Sequence, residues 1–417
     1  MPDIILKQVH DAKIQPESDF DITIVGAGMI GLSLAIALAN EGFNIAIIDK
    51  SFLTQDIYST AEQPDIRVSS LSLGTKDFLA KIHVWEHLEK QRYTPYSKLS
   101  TWDAHLPAVN FDSANLGYQQ LGFMVENSIL QSTLISLVKQ KINITFFEGA
   151  SVTKISSIDE NEVQTIEFDC ANSQKKSIYS KLIVGADGAQ SSIRRLANIG
   201  TIGWQYNQSC MLITVKTNSL EKDITWQQFT PSGPKAYLPL HDNWASLIWY
   251  DDKVKIKQLM SLSDEQLTNE IKLAFPARIG EIEVIDKAMF PLTRMHAKTY
   301  WKPRIALVGD AAHTINPLAG QGANLGFKDI EYLSNLIVTS HNSGKNWYSN
   351  EVLSKYNSKR IKDNLLMQSA MDAIYFSFSN KNRPIKLLRN FLFMAVEHNN
   401  LIKNFILKYA IGLKQER

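Results

Sequence analysis

The residues Gly26-Ala27-Gly28-Met29-Ile30-Gly31, followed at a suitable interval by Asp49, are the first whose types and spacing could do chemistry. In a G-x-G-x-x-G turn the first glycine makes a tight bend, the second lets backbone approach a pyrophosphate, and the third lets a helix pack closely on a strand. The helix start then offers free N–H groups and a partial positive charge to phosphates. Asp49 stands where an acidic side chain accepts hydrogen bonds from an adenosine ribose. That chemistry is dinucleotide binding, and the turn alone does not separate FAD from NAD. A second cluster, Gly309-Asp310-Ala311-Ala312-His313, runs on through Pro317 to Gly320-Gln321-Gly322-Ala323-Asn324. A carboxylate ahead of a Gly/Pro loop that opens a helix puts an acceptor and several amide donors around one ligand. Asp310 could hold ribitol hydroxyls, and amides near Ala323 and Asn324 could face the pyrimidine edge of a flavin.

These residues need elements to hold them. Phe20 to Val25 reads as a short β-rich strand, a helical stretch runs to about Glu41, and Asn44 to Ile48 forms a second apolar strand ending at Asp49. Strand, helix, strand and terminal carboxylate occur in order, the context that the glycine turn requires. Arg304 to Val308 reads as a buried strand before Asp310, and Leu325, Phe327, Ile330 and Leu333 give a helical pattern after Gly322. Leu182 to Val184 form a further strand, after which Asp187 and Gly188 precede a helix with Ser191, Ser192, Arg194 and Arg195. Taken alone, Asp187 is equally a turn residue that fixes its own backbone.

Composition bounds the class. With 417 residues, 44% hydrophobic and 21% charged, the chain reads as two to three globular units and excludes a disordered or low-complexity polymer. Lys plus Arg total 44 against 42 Asp plus Glu, so no net field favours nucleic acid as a partner. Two cysteines, Cys170 and Cys210, exclude a disulfide framework and suit a reducing cytosol. The first residues hold no apolar run of signal-peptide length, and no stretch reaches the roughly 18 apolar residues of a membrane span. A cytoplasmic protein is expected, with any membrane contact peripheral.

With these motifs in place, the chain resembles the class A flavoprotein aromatic hydroxylases, the group of para-hydroxybenzoate hydroxylase. GAGMIG with Asp49, GADGAQSSIR from Gly185 to Arg194, and GDAAHTINPLAGQGANLG from Gly309 to Gly326 stand in the family's order. The last spelling is similar to the ubiquinone-biosynthesis branch, the 2-polyprenylphenol hydroxylases. Matches at Asp65-Ile66-Arg67, Leu121 to Asn127, Trp204 to Gln208 and Phe229 to Leu240 extend the resemblance over residues 20–370. It implies FAD contacts at Gly26, Gly28, Gly31, Asp49, Arg67, Asn127, Asp187, Gly188, Asp310, Gly320, Gln321, Gly322, Ala323 and Asn324. The Arg67 guanidinium suits pyrophosphate oxygens, although a lone Arg is otherwise a solvated surface residue. Asn127 would look the same as a helix cap.

The resemblance also implies an α/β fold: a Rossmann-like FAD-binding domain with an inserted β-rich substrate domain and C-terminal helices. The expected division is a polar lead (1–19), a discontinuous FAD-binding domain (20–94, 118–198 and 293–345), a substrate domain (95–117 and 199–292) and a helical region (346–417). NAD(P)H or another reductant would bind without a second Rossmann domain. O2 and a prenylated phenol would react through a C4a-hydroperoxyflavin. The backbone of Pro317 would shape the oxygen-reacting face, with no side-chain base assigned. Membership of a ubiquinone-biosynthesis complex is a further implication.

Other chemistries lack their residues. His83 and His87 have helical spacing without a third ligand, so they read as a partly exposed helix face and no metal site is expected. Neither a nucleophile elbow nor a P-loop occurs, and the W-x-W-x-I-P signature of flavin halogenases is missing. His313 reads as a structural turn residue. Trp204, Tyr206, Trp226, Phe229, Tyr237, Trp244, Trp249 and Tyr250 alternate as in strands, and either line an apolar pocket or pack a sheet on the cofactor domain. Pro384 to Arg417 is dense in Phe, Leu and Ile, with six Lys or Arg against two Glu. That suits a helix on an anionic membrane; packing on the cofactor domain, or on another copy in a homo-oligomer, is the alternative. Three functional alternatives stay open: a hydroxylase of another aromatic compound, a flavoprotein reductase, and a non-catalytic flavin-binding subunit.

Overall fold

The computed structural model describes residues 19–52, 62–103, 108–156, 163–316, 320–379 and 397–412. Helices in chain order are α1 (Met29–Ala39), α2 (Leu73–Lys81), α3 (Trp85–Leu88), α4 (Asn127–Val138), α5 (Ser192–Leu196), α6 (Lys253–Met260), α7 (Asp264–Ala274), α8 (Gly322–Asn342), α9 (Asn350–Ser379) and α10 (Asn400–Ala410). Among the described residues, no helix is long and apolar enough to cross a membrane.

The first sheet has central strands that are apolar almost throughout, as strands covered on both faces must be. β1 (Phe20–Val25), β2 (Ile45–Ile48), β8 (Ile144–Phe147), β11 (Lys175–Gly185) and β18 (Ile305–Leu307) lie parallel in the order β18-β11-β1-β2-β8. Three antiparallel strands extend it: β9 (Ala150–Ile155), β10 (Gln164–Cys170) and β17 (Trp301–Lys302). α1 is buried from Gly31 to Ala39 and touches both α4 and α8, so its sequence shows no polar face.

The second sheet obeys a different pattern. It comprises β5 (Lys98–Asp103), β6 (Val109–Asp112), β12 (Thr201–Thr217), β13 (Ile224–Phe229), β14 (Lys235–Pro239), β15 (Trp244–Asp252), β16 (Ile282–Ala297) and β19 (His313–Thr314), in the order β19-β16-β12-β15-β14-β13-β5-β6. Side chains alternate between its faces. Met211, Ile213, Val215, Leu247 and Trp249 join Ile256, Leu259, Leu267 and Ile271 of α6 and α7 in a core of their own. Cys210, Leu212, Ile248 and Tyr250 take the other face, which looks into a cavity. A small third sheet, β3 (Val68–Ser72), β7 (Gly122–Glu126) and β4 (Thr94–Tyr96), is ordered β3-β7-β4.

One local expectation is corrected. His83 sits at φ 61° in the turn before α3, so only His87 is helical and the two histidines share no helix face.

Candidate active site

The glycine turn between β1 and α1 is dictated by contacts. Gly26 has φ 111°, and a Cβ on Gly31 would fall 2.0 Å from the Gly26 carbonyl oxygen, so a side chain at Gly31 is excluded. A Cβ at Gly28 would meet nothing within 4 Å, which leaves the start of α1 open. That start has no side-chain cap and no acidic residue in its first turn; neither does the start of α8 at Gln321. Other helices differ in how they begin: Ser72 caps α2, and Ser263 with Gln266 forms a capping box on α7 beside Asp264 and Glu265, whereas α4 and α6, like α1 and α8, start without a side-chain cap or an acidic residue. Uncapped, acid-free helix starts keep their orphan N–H donors and partial positive charge available to an anionic ligand. The two turns are neighbours, because a Cβ on Gly326 would lie 2.9 Å from Ile30 of α1.

Arg67, Asn127, Asp310, Gly320, Gln321 and Asn324 line one cavity of about 720 Å³. Asp310 has an exposed side chain, but one that opens on this cavity deep among protein atoms. Burial raises its carboxyl above the ordinary range, with His313 and Arg67 pulling the other way. Arg67 is presented by a braced turn: Glu126 accepts from Arg92 Nε (2.6 Å) and from the Asp65 N–H (2.7 Å), and Asp65 Oδ1 accepts from the Arg67 N–H (3.1 Å). Asn127 does not cap α4; its Oδ1 accepts from Ser69 Oγ at 2.6 Å.

Gly26, Gly28, Gly31, Asp49, Asp187, Gly188, Gly322 and Ala323 lie outside this cavity's lining. Asp49 is beside the glycine turn, its Oδ2 accepting from the Ala27 N–H at 2.6 Å and its Oδ1 from the Ser51 N–H at 2.7 Å. The Asp187 carboxylate is spent on α5, accepting from Ser191 Oγ, the Ser192 N–H (2.6 Å) and the Ile193 N–H (3.2 Å). Gly188 follows at φ 76°. Asn324 is fully engaged: its Oδ1 accepts from the Ser72 N–H and Thr75 Oγ1, and its Nδ2 donates to the Ser70 carbonyl. What it leaves toward a ligand is backbone, together with Gly322 and Ala323 in the first turn of α8. Pro317 lies outside the described residues.

Several contributors carry no signature in the sequence. Gln131 Nε2 donates to the Ala27 carbonyl at 3.0 Å, tying α4 to the glycine turn. Asp329, wholly buried on α8, accepts from His313 Nε2 (2.5 Å), the Gly309 N–H (3.0 Å), Arg360 Nε (2.8 Å) and Asn364 Nδ2 (3.1 Å). Burial alone would raise this carboxyl, but His313 and Arg360 overcome that and hold it down to about 2. The ion network therefore anchors the Gly309-Asp310 turn from behind, and His313 is part of it.

The opposite wall is apolar. Leu212, Leu238, Ile248 and Phe290 of the second sheet, and Met371 and Ile374 of α9, face the cavity. Burial pushes the Cys210 thiol up, so it is a neutral lining group. Of the expected aromatics, Phe229 and Tyr250 line the cavity, Tyr237 and Trp249 belong to the core behind the sheet, and Trp226 reaches both. One polar patch interrupts this wall: half-buried Gln227 sits beside Thr101 across the β13–β5 ladder, and Thr101 Oγ1 has no partner among the described residues.

A parallel cofactor sheet, open helix starts and a cavity closed by a second sheet define a flavoprotein hydroxylase of the para-hydroxybenzoate hydroxylase type. Residues 19–364 match the FAD binding domain family, and the chain belongs to it, in the ubiquinone-biosynthesis branch of FAD-dependent monooxygenases. It is 42% identical to the 3-demethoxyubiquinol 3-hydroxylase of Escherichia coli (strain K12), across 94% of this chain and 98% of that protein. It is 30% identical to the mitochondrial ubiquinone biosynthesis monooxygenase COQ6 of Danio rerio, across 96% of this chain and 91% of the relative. Among solved structures, p-nitrophenol 4-monooxygenase PnpA from Pseudomonas putida superposes with a TM-score of 0.79 at 17% identity, covering 95% of this chain and 99% of that one. Aklavinone-11 hydroxylase, crystallised with FAD and aklavinone, gives 0.70 at 18% identity, over 87% and 70% of the two chains. At such identities the structural likeness speaks for the fold alone.

Proposed function

We propose that the chain hydroxylates the aromatic ring of a prenylated phenol or quinol in ubiquinone biosynthesis, with a substrate of the 3-demethoxyubiquinol class. The observation that carries this reading is one cavity with a polar, donor-rich wall on the cofactor side and an apolar wall on the other. FAD fits the first wall: Gly28 and Gly322 leave open space at two uncapped helix starts, and Asp310 offers an acceptor. Bound and reduced by NAD(P)H or another reductant, FAD supplies the electrons that activate O2, so that one oxygen atom enters the ring and the other leaves as water.

The chain's own residues do the rest. The α1 start and Arg67 hold pyrophosphate, Asp49 the adenosine ribose, Asp310 the ribitol, and the first turn of α8 the pyrimidine edge, where reduced flavin carries negative charge. Asp187 acts at one remove by ordering the turn that Gly26 abuts. The apolar wall excludes water, and Gln227, able to donate and accept, orients a ring oxygen. This reading keeps the discontinuous cofactor domain and the inserted substrate segments 95–117 and 199–292 as its domain division. It places the protein at the cytoplasmic face of a membrane. Deleting the gene and identifying the accumulated quinone precursor by mass spectrometry tests it: an under-hydroxylated prenylated ring is expected, and an unchanged quinone profile contradicts it.

A further inference from the structure

Helix α10 is oriented against the usual rule. Leu401 is 82% exposed, Phe405 60%, Ile402 43% and Ile406 39%, so its outward stripe is made of large apolar side chains. Its inward side holds Leu407 and Lys403, the latter donating to Glu397 Oε2 at 2.8 Å. Soluble proteins scatter exposed apolar residues singly, and a contiguous row marks a contact surface. The row also continues inward, because Ile406 is both exposed and part of the cavity lining, next to Leu407 and Ile411. Lys408 is exposed on the same side of the helix.

We infer that α10 lies in the surface of an anionic bilayer, with Leu401, Ile402, Phe405 and Ile406 among the acyl chains, and that the prenylated ring passes beside Ile406 from lipid into the cavity. The inference rests on the proposed prenylated substrate. A polyprenyl amphiphile resides in the bilayer, and an apolar path from lipid to the reacting site spares it a passage through water. An apolar stripe with a cation alongside is the pattern of an interfacial helix on anionic lipid. A second copy of the chain suits the stripe less well. Four side chains on one helix fall far short of the roughly 1,200 Å² that a specific interface buries.

The test uses the full-length, FAD-loaded protein and the double variant Leu401→Ser/Phe405→Ser, neither residue being in the cavity lining. Wild type should co-sediment with vesicles of equal parts phosphatidylglycerol and phosphatidylcholine and far less with phosphatidylcholine alone. The variant should lose at least about tenfold in vesicle affinity, as expected when the apolar face of an interfacial helix is removed. It should keep its FAD content, melting temperature and turnover of a short-tailed, water-dispersed quinol, while losing turnover of a long-tailed quinol in vesicles. Equal vesicle binding by both proteins overturns the inference. So does a lowered melting temperature in the variant, which would mean that the stripe is packed within the chain, or a dimer that the variant turns into a monomer. If neither protein hydroxylates the short-tailed quinol, the substrate reading fails independently of the vesicle result.

Discussion

The two walls of the cavity are built by opposite means. Around Arg67, Asp310 and the start of α8, the wall offers backbone amides at an uncapped helix start and charges braced by hidden partners such as Glu126 and Asp329. Across the cavity, the wall is made of alternate side chains of β12 to β15, whose other face packs on α6 and α7. The first construction is the more constrained, since a Cβ on Gly26 or Gly31 would collide with backbone. The second can change its side chains with little effect on the sheet, because a core of its own supports it. Substitutions in the first wall should therefore cost flavin, and those in the second should cost substrate while flavin stays.

The largest expected break is Gly31→Ala. Its Cβ would overlap the Gly26 carbonyl at 2.0 Å, so the turn must open, at a cost of about 1–3 kcal/mol in overpacking. Purified variant should carry essentially no flavin by absorbance, while near-ultraviolet circular dichroism of the second sheet's tryptophans persists. Arg67→Ala comes next. Loss of a charge-assisted hydrogen bond costs about 1.5–3 kcal/mol, so FAD affinity measured by fluorescence should fall roughly tenfold to a hundredfold.

Gln227→Leu probes the other wall. FAD affinity should be unchanged, KM for the quinol should rise several-fold for a lost hydrogen bond of about 1 kcal/mol, and more reductant should be diverted to hydrogen peroxide. Weakened FAD binding in this variant would erase the distinction between the walls.

A pH dependence is expected from two buried groups, Asp329 and His296 of β16, whose Nδ1 lies 3.0 Å from Gln368 Oε1 on α9. Burial depresses His296 to about 4, so between its ordinary 6.5 and that value the unfolded chain binds more protons and stability falls as pH drops. Asp329, depressed from 3.8 to about 2, adds stability above its ordinary value that is lost as pH falls through that window. Thermal melts should show a decline beginning below about pH 6.5 and a second one below about pH 4. A His296→Gln variant should lose only the first.

The cofactor wall was the more legible in the sequence for the same reason that it is the more constrained. A glycine forced by a 2.0 Å approach and a carboxylate at a strand end are requirements on residue type, and they survive as spelling. What spelling does not reveal is where an equally placed side chain is spent. Asp187 and Asp310 both follow buried strands, yet Asp187 accepts from the first N–H groups of α5 and Asp310 opens on the cavity. Asn324 likewise reads as a ligand contact; it lines the cavity, while its side chain clips α8 to the β3–α2 corner. Partners joined only by the fold, such as Asp329 with Arg360 or Gln131 with Ala27, leave no local pattern at all. In the second sheet the aromatic alternation predicted strands, but which phase faced the cavity depended on α6 and α7 covering the other side.

On the proposed function, reducing power and O2 meet in this cavity to place one oxygen atom on a prenylated ring. The most direct measurement supplies the FAD-loaded protein with NAD(P)H, a short-tailed demethoxyubiquinol and isotopically heavy O2, and weighs the product. A hydroxylated ring carrying one heavy oxygen atom, formed in proportion to reductant consumed, is expected. Reductant oxidised to hydrogen peroxide with no ring product, or an oxygen atom drawn from water, would contradict it.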